Sequence, residues 1–301
     1  MQVLRNNHIL QGVLLALAAT LLWSGNFIIS RAVNKDIGPV SLAFYRWLSA
    51  SIIIAPFAFK KLKEEKLIVI ANYRYLIFVS LTGIALFNTF VYVAGHFTSA
   101  INMALIGTTS SPIFATIMAV IFLKEKLSRY RVIGMITCIV GILILISNGS
   151  WNKLAAFHFS KGDLWILAGA FAFAIYNVLV RKKPTTISSI NFLFIIFLIG
   201  TIMLLPFYLR ELIYDVPPNW SPILIGSILY LGLGTSAIAF LCWNLAIQKL
   251  GAGRTVLFGN LIPVFSIIEA VILLGEKMTS AHIISGIIVV SGLGIANLKS
   301  K

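Results

Sequence analysis

Apolar positions in this chain come in unbroken blocks rather than in alternation. Runs of about 20 residues, almost free of charge, follow one another from end to end, parted by short polar stretches rich in Lys, Arg, Gly, Pro and Asn. A block of that length is what an α-helix needs to cross ~30 Å of hydrocarbon at ~1.5 Å per residue. Strands of a membrane barrel would instead alternate over about ten residues, and no such alternation is visible. The blocks predict ten spanning helices, near 10–31, 40–59, 74–95, 99–123, 131–147, 162–181, 187–209, 221–247, 252–275 and 281–297. The first is too long for a cleaved leader and ends in "LLWSGNFIIS" rather than in a small-residue cleavage site. No stretch between blocks is long enough for a soluble domain. The expected class is an all-α integral membrane protein.

Composition agrees with the pattern. The 301 residues are 59% hydrophobic and 11% charged, with a mean hydropathy of +0.97, whereas a soluble domain carries about a quarter charged residues. The net charge of +15 would suit nucleic acid or anionic substrates, but its distribution has a simpler cause. With the N-terminus in the cytoplasm, the inside segments hold Arg5; Lys60, Lys61, Lys63, Lys66 and Arg74; Lys124, Lys126, Arg129 and Arg131; Arg181, Lys182 and Lys183; Lys249 and Arg254; Lys299 and Lys301. Those are 17 of the 24 bases, against six outside, leaving Arg46 deep within a block. That bias orients a membrane protein and puts both termini in the cytoplasm. It argues for a lipid bilayer as partner and against nucleic acid. Cys138 and Cys242 lie within blocks, without metal-ligand spacing, and read as small packing residues.

The chain resembles itself at an offset of 150 or 151. Gly12 falls on Gly162, Arg31 on Arg181, Pro56 on Pro206, Gly83 on Gly234, Pro112 on Pro263, Phe114 on Phe265, Glu125-Lys126 on Glu276-Lys277 and Gly141 on Gly292. A collinear series of this kind marks an internal repeat. The repeats are 1–148 and 149–301, each with five blocks. Because five is odd, the halves must lie upside down relative to each other, the inverted repeat of secondary transporters.

"LLWSGNF" in the first block, "FYRW" in the second and "GNLIPVFS…AVILLGE" in the ninth resemble the EamA-type proteins of the drug/metabolite transporter superfamily, over essentially the whole chain. The resemblance implies ten helices, cytoplasmic termini, a second helix at the periphery and a central cavity between the halves. It further implies transport of amino acids, metabolites or drugs, often outward, and it leaves the substrate open.

Candidate cavity residues follow from helical spacing. Trp23 and Asn26 share a face, with Phe173 and Tyr176 as repeat counterparts; Asn88 and Tyr92 share another, and Ser236 and Trp243 a third. Tyr92 and Trp243 correspond at offset 151, and as facing aromatics they would wall a small organic molecule; anchoring at the membrane interfaces is the alternative. Pro112 and Pro263, mid-block at matched positions, are candidate helix breaks at a midplane site, or else shape packing only. Thr108 and Ser111 lie on the face of the fourth block that matches Glu269. Glu269 is an intramembrane carboxylate, costly unless paired, hydrated or protonated, at a position usually apolar or small in the family. It reads either as the coupling or cation-recognising group or as the structural partner of Arg46. Protons are thus a candidate coupling ion.

Other function classes lack their motifs. No block holds an acid pair, a histidine cluster or an intramembrane protease signature, and no phosphate-binding loop is present, so neither an enzyme nor an ATP-driven pump is expected and no cofactor is implied. A passive channel or scramblase has no filter-like motif or acidic ring. The sequence therefore predicts a secondary transporter of a small organic solute (an amino acid, amine or related metabolite) in the cell (inner) membrane, working as exporter or exchanger.

Overall fold

A computed structural model describes residues 2–33, 35–94, 97, 100–125, 127–147, 149–155, 160–215, 217–274 and 279–298. The described residues contain helices and no strand. In chain order the main helices are α1 (Gln2–Ala32), α2 (Pro39–Glu64), α3 (Tyr73–Ala94), α4 (Ala100–Leu123), α5 (Arg129–Ser147), α6 (Lys161–Arg181), α7 (Ser189–Tyr214), α8 (Pro222–Leu250), α9 (Leu261–Leu274) and α10 (Ser280–Asn297). Of these, α1, α2, α3, α6, α7 and α8 hold stretches long and apolar enough to cross a membrane, and α4 and α10 carry shorter apolar ones.

Two departures from uniform winding fall at matched places in the halves. The helix loosens to π winding at Leu81–Leu86 in α3 and at Leu231–Ile238 in α8, around the repeated Gly83 and Gly234. The prolines behave unequally. α4 runs helical through Pro112. The ninth block is broken instead before Pro263, as a single turn Ala252–Thr255, a 3₁₀ stretch Val256–Asn260 and then α9. Pro263 thus sits in the first turn of α9, where a missing N–H costs little.

The packing has an exchange symmetry. α1 lies against α8 and α9, as α6 lies against α3 and α4; α2 crosses the π segment of α8, as α7 crosses that of α3; and α2 pairs with α7, as α5 pairs with α10. Swapping each helix for the one five places on leaves this set unchanged.

Close approach makes the α5–α10 pair. A Cβ at Gly134 would lie 2.4 Å from the Gly292 carbonyl and 2.5 Å from the Ala296 nitrogen, and one at Gly292 would lie 2.8 Å from the Cys138 nitrogen. Small residues drive such contacts in lipid, where hydrophobic transfer between helices contributes little.

The α2–α7 pair is tied at both ends by carboxylates. Glu65, at the end of α2, accepts from the Ser188 backbone N–H at 3.0 Å and the Asn191 amide at 2.7 Å, at the start of α7. Glu211, in the last turn of α7, accepts from the backbone N–H groups of Val40 and Ser41 at the start of α2. Each antiparallel helix caps the positive N-terminal end of the other, worth about 0.5–2 kcal/mol per cap. Glu125, half of the first "EK" landmark, does similar work: it accepts from the Ala252 N–H at 3.1 Å and from Arg131 at 3.2 Å. Its repeat counterparts Glu276 and Lys277 lie outside the described residues.

Because the atoms facing Gly134 are backbone and cannot swing away, Gly134→Leu should destabilise the fold by ~2 kcal/mol or more. Gly226→Ala, with nothing within 4 Å of its Cβ, should melt like the parent. Thermal melts of the purified detergent-solubilised variants check the pair, and equal melting temperatures would contradict the close packing.

Candidate functional site

The inner face of α2 is a stripe of Ala43, Trp47, Ala50 and Ile54, and Arg46 lies on it with 2% of its surface exposed. The second helix therefore carries its one mid-block charge inward; the peripheral position implied by resemblance does not keep this side chain out of the centre. α2 approaches α8 closely because Gly232 has no side chain: a Cβ there would fall 2.1 Å from the Ser49 hydroxyl.

Four helices surround the guanidinium. Its Nε donates to Ser236 Oγ at 2.7 Å and its Nη2 to the Thr235 carbonyl at 3.3 Å, both in the π segment of α8. π winding loosens the backbone ladder, which suits a carbonyl that also serves side chains; Thr235 O accepts from Trp23 Nε1 as well, at 2.8 Å. Nη1 faces Asn26 Oδ1 of α1 at 3.2 Å, and Asn88 Oδ1 and the Tyr92 hydroxyl of α3 at 3.1 Å each. The Trp47 ring lies 4.8 Å from the cationic carbon. Every one of these oxygens is neutral. The ion pairs among the described residues are Lys61–Glu64 and Arg131–Glu125, and neither involves Arg46.

Glu269 lies apart from this cluster. Its Oε1 accepts from Ser24 Oγ at 2.6 Å, while Ser266, one turn earlier on α9, donates to the Ser24 carbonyl at 3.2 Å. Its Oε2 is buried without a partner. Ser24 and Asn26 are two residues apart, ~200° around α1, so Glu269 and Arg46 occupy different sides of that helix. The Arg46–Glu269 ion pair left open by the sequence is not formed.

The aromatic candidates form their own group. The Trp23 ring is 4.8 Å from that of Trp243 and edge-on to Phe240 at 5.5 Å. Trp243, 1% exposed, donates to Asn177 Oδ1 at 2.8 Å, and the fully buried Tyr176 donates to Asn244 Oδ1 at 2.7 Å. Tyr92 thus joins the Arg46 cluster and Trp243 the aromatic core. Ser111 and Pro112 sit on α4, which contributes no described side chain to the Arg46 cluster, and the Thr108 side chain lies outside the described residues.

Asn26, Asn88, Tyr92 and Ser236 are thus brought to one point by Arg46, a residue that spacing arguments did not place there. The signal was its solitary charge inside an apolar block. Asn177 and Asn244 were likewise visible only as polar interruptions.

The sequence profile of the EamA-like transporter family matches the chain twice, over residues 10–147 and 160–298. The chain belongs to this family. Relatives of similar sequence align over nearly their full length. An uncharacterized transporter of Archaeoglobus fulgidus is 28% identical, covering 95% of this chain and 97% of its own. The uncharacterized transporter YyaM of Bacillus subtilis is 28% identical, covering 93% and 91%. A probable amino-acid metabolite efflux pump of Salmonella typhimurium is 23% identical, covering 93% of each. A solved crystal structure superposes with a TM-score of 0.75 at 17% identity, over 95% of this chain and 96% of that one, which shows a shared fold. This EamA-like chain is accordingly a multi-pass membrane protein of a transporter family.

The two groups of candidates should respond differently to truncation. Trp243→Ala opens a large hole among packed rings and should cost about 3–5 kcal/mol of stability. Tyr92→Phe removes one of three oxygens that share the two hydrogens of Nη1, and should leave stability within ~1 kcal/mol of the parent. Melting curves of the two purified variants, compared side by side, test this ordering.

Proposed function

We propose that the chain is a secondary transporter that exports or exchanges a small organic solute (an amino acid, amine or related metabolite) across the cell (inner) membrane by alternating access. In this reading ten helices cross the bilayer with both termini cytoplasmic. Residues 1–148 and 149–301 form two five-helix repeats of opposite orientation. The observation that carries the reading is the exchange symmetry of the main helix packing, in which the principal contacts between halves either have a twin or map onto themselves. Two halves related in this way can trade conformations, closing one side of a central site as the other opens, without changing the total set of contacts. A catalyst gains nothing from such symmetry, so the chain is read as a carrier rather than an enzyme. The relative described as an amino-acid metabolite efflux pump supports outward movement of metabolites.

Glu269 is assigned the coupling role. It is reached from α1 by Ser24 and keeps a buried oxygen without a partner, an unused acceptor for which a proton and a substrate ammonium would compete. Glu269→Gln retains an oxygen for Ser24 and should fold normally. In proteoliposomes screened with radiolabelled amino acids, amines and nucleosides, it should lose any dependence of flux on a pH gradient. Wild-type gradient dependence in a well-folded Glu269→Gln protein would remove the residue from coupling.

Orientation is tested separately. Lys63 and Asn219 are both exposed, and in the ten-span reading they lie on opposite sides. Single cysteines there should react with an impermeant maleimide from the cytoplasmic and the outer side respectively. Labelling of both from one side would overturn the ten-span topology.

A further inference from the structure

We infer that Arg46, with Asn88 and Tyr92, forms the subsite that binds a carboxylate of the transported solute, an assignment that rests on the carrier reading above. The argument is an inventory of donors. A guanidinium has five N–H groups and no acceptor. Here it is buried among neutral oxygens only, and a charge so placed in a membrane protein normally finds an opposite charge or marks a substrate path.

Its neighbours sharpen the need. Asn88 gives its Oδ1 to Arg46, which fixes the orientation of the amide and turns Nδ2 the other way; that Nδ2 is buried and without a partner, in a residue 5% exposed. The Tyr92 oxygen accepts from Arg46, so its own hydrogen is left to donate, and no described acceptor takes it. A buried cation with neutral acceptors only and two donors for which no acceptor is described thus belong to one cluster. What would complete the group is an anionic acceptor.

The chemistry narrows that acceptor. A planar guanidinium fork matches a carboxylate, and no second base joins the Arg46 cluster among the described residues, so a monoanion balances the charge where a phosphate dianion would not. Asn26 and Tyr92 are both partly exposed, which leaves a way in. Trp23, which shares the Thr235 carbonyl with Arg46 and is itself partly exposed, offers an apolar ring for the rest of the molecule. Glu269, on the other side of α1, is too far around the helix to neutralise Arg46 itself.

The test compares matched probes: L-leucine and L-phenylalanine, their amides, and the amines that lack the carboxylate altogether. Thermal stabilisation of the purified full-length protein should follow the acids and not the amides or amines. Asn88→Asp would place a carboxylate against Arg46; it should melt higher than the parent and no longer distinguish acid from amide. Tyr92→Phe should weaken the acid by roughly 10-fold or more while leaving the amide unchanged, as loss of a hydrogen bond to a charged group predicts. Equal stabilisation by acid and amide, stabilisation by no acid, or full discrimination retained in both variants would each overturn the assignment. Flux in proteoliposomes separates this from the carrier reading. Acid-selective stabilisation with no flux of any probe would remove the carrier and leave the binding site. Flux of acids and amines alike, unchanged in both variants, would leave the carrier and remove the site.

Discussion

The structure turns on a single positive charge buried without a negative one. Arg46 draws a side-chain amide from α1, an amide and a phenol from α3, and a hydroxyl and a carbonyl from the π segment of α8. Taking a guanidinium out of water costs several kcal/mol, and neutral hydrogen bonds repay only part of that. The four helices that meet there are therefore held by a cluster that is satisfied in geometry and unsatisfied in charge. It is this imbalance that the proposed carboxylate subsite would relieve.

Five of the nine acids are committed elsewhere. Glu65, Glu125 and Glu211 cap the starts of helices or helical turns that belong to the opposite repeat. Asp163 closes a capping box with Ser160, and Glu64 pairs with Lys61 at the surface. Helix ends in an apolar surrounding expose backbone N–H groups that must find acceptors, and carboxylates supply them. The same caps link the halves through α2 and α7, whose contact maps onto itself when the halves are exchanged.

The halves share a frame but not a chemistry. At the repeat offset, Arg46 corresponds to Ile196, Asn26 to Tyr176, Asn88 to Ala239 and Tyr92 to Trp243. At these four positions the first half thus carries a cation and polar side chains, and the second carries buried rings and aliphatic carbon. Under the proposed carrier reading, alternating access would constrain the shared helix packing, whereas recognition of a lopsided solute would need the two sides to differ.

The sequence by itself determined the membrane class, the position of most helices, the repeat and the family resemblance. Each of these is written in one dimension: block length against bilayer thickness, a fixed offset between landmarks, and a motif such as "GNLIPVFS". It also picked out Asn26, Asn88, Tyr92 and Ser236, because a polar residue in an apolar block is conspicuous and helical spacing says which of them share a face. It could not say what they share that face with. Spacing put Tyr92 opposite Trp243 and left Glu269 as a partner for Arg46, since depth along a helix is readable from residue count but direction around it relative to other helices is not. Only the tertiary structure decided that α1 stands between Glu269 and Arg46, that Trp243 belongs to the aromatic core, and that the winding changes before Pro263 and not at Pro112. Those outcomes depend on close approaches at Gly232, Gly134 and Gly292, where the absence of a side chain sets the distance between helices far apart in the chain.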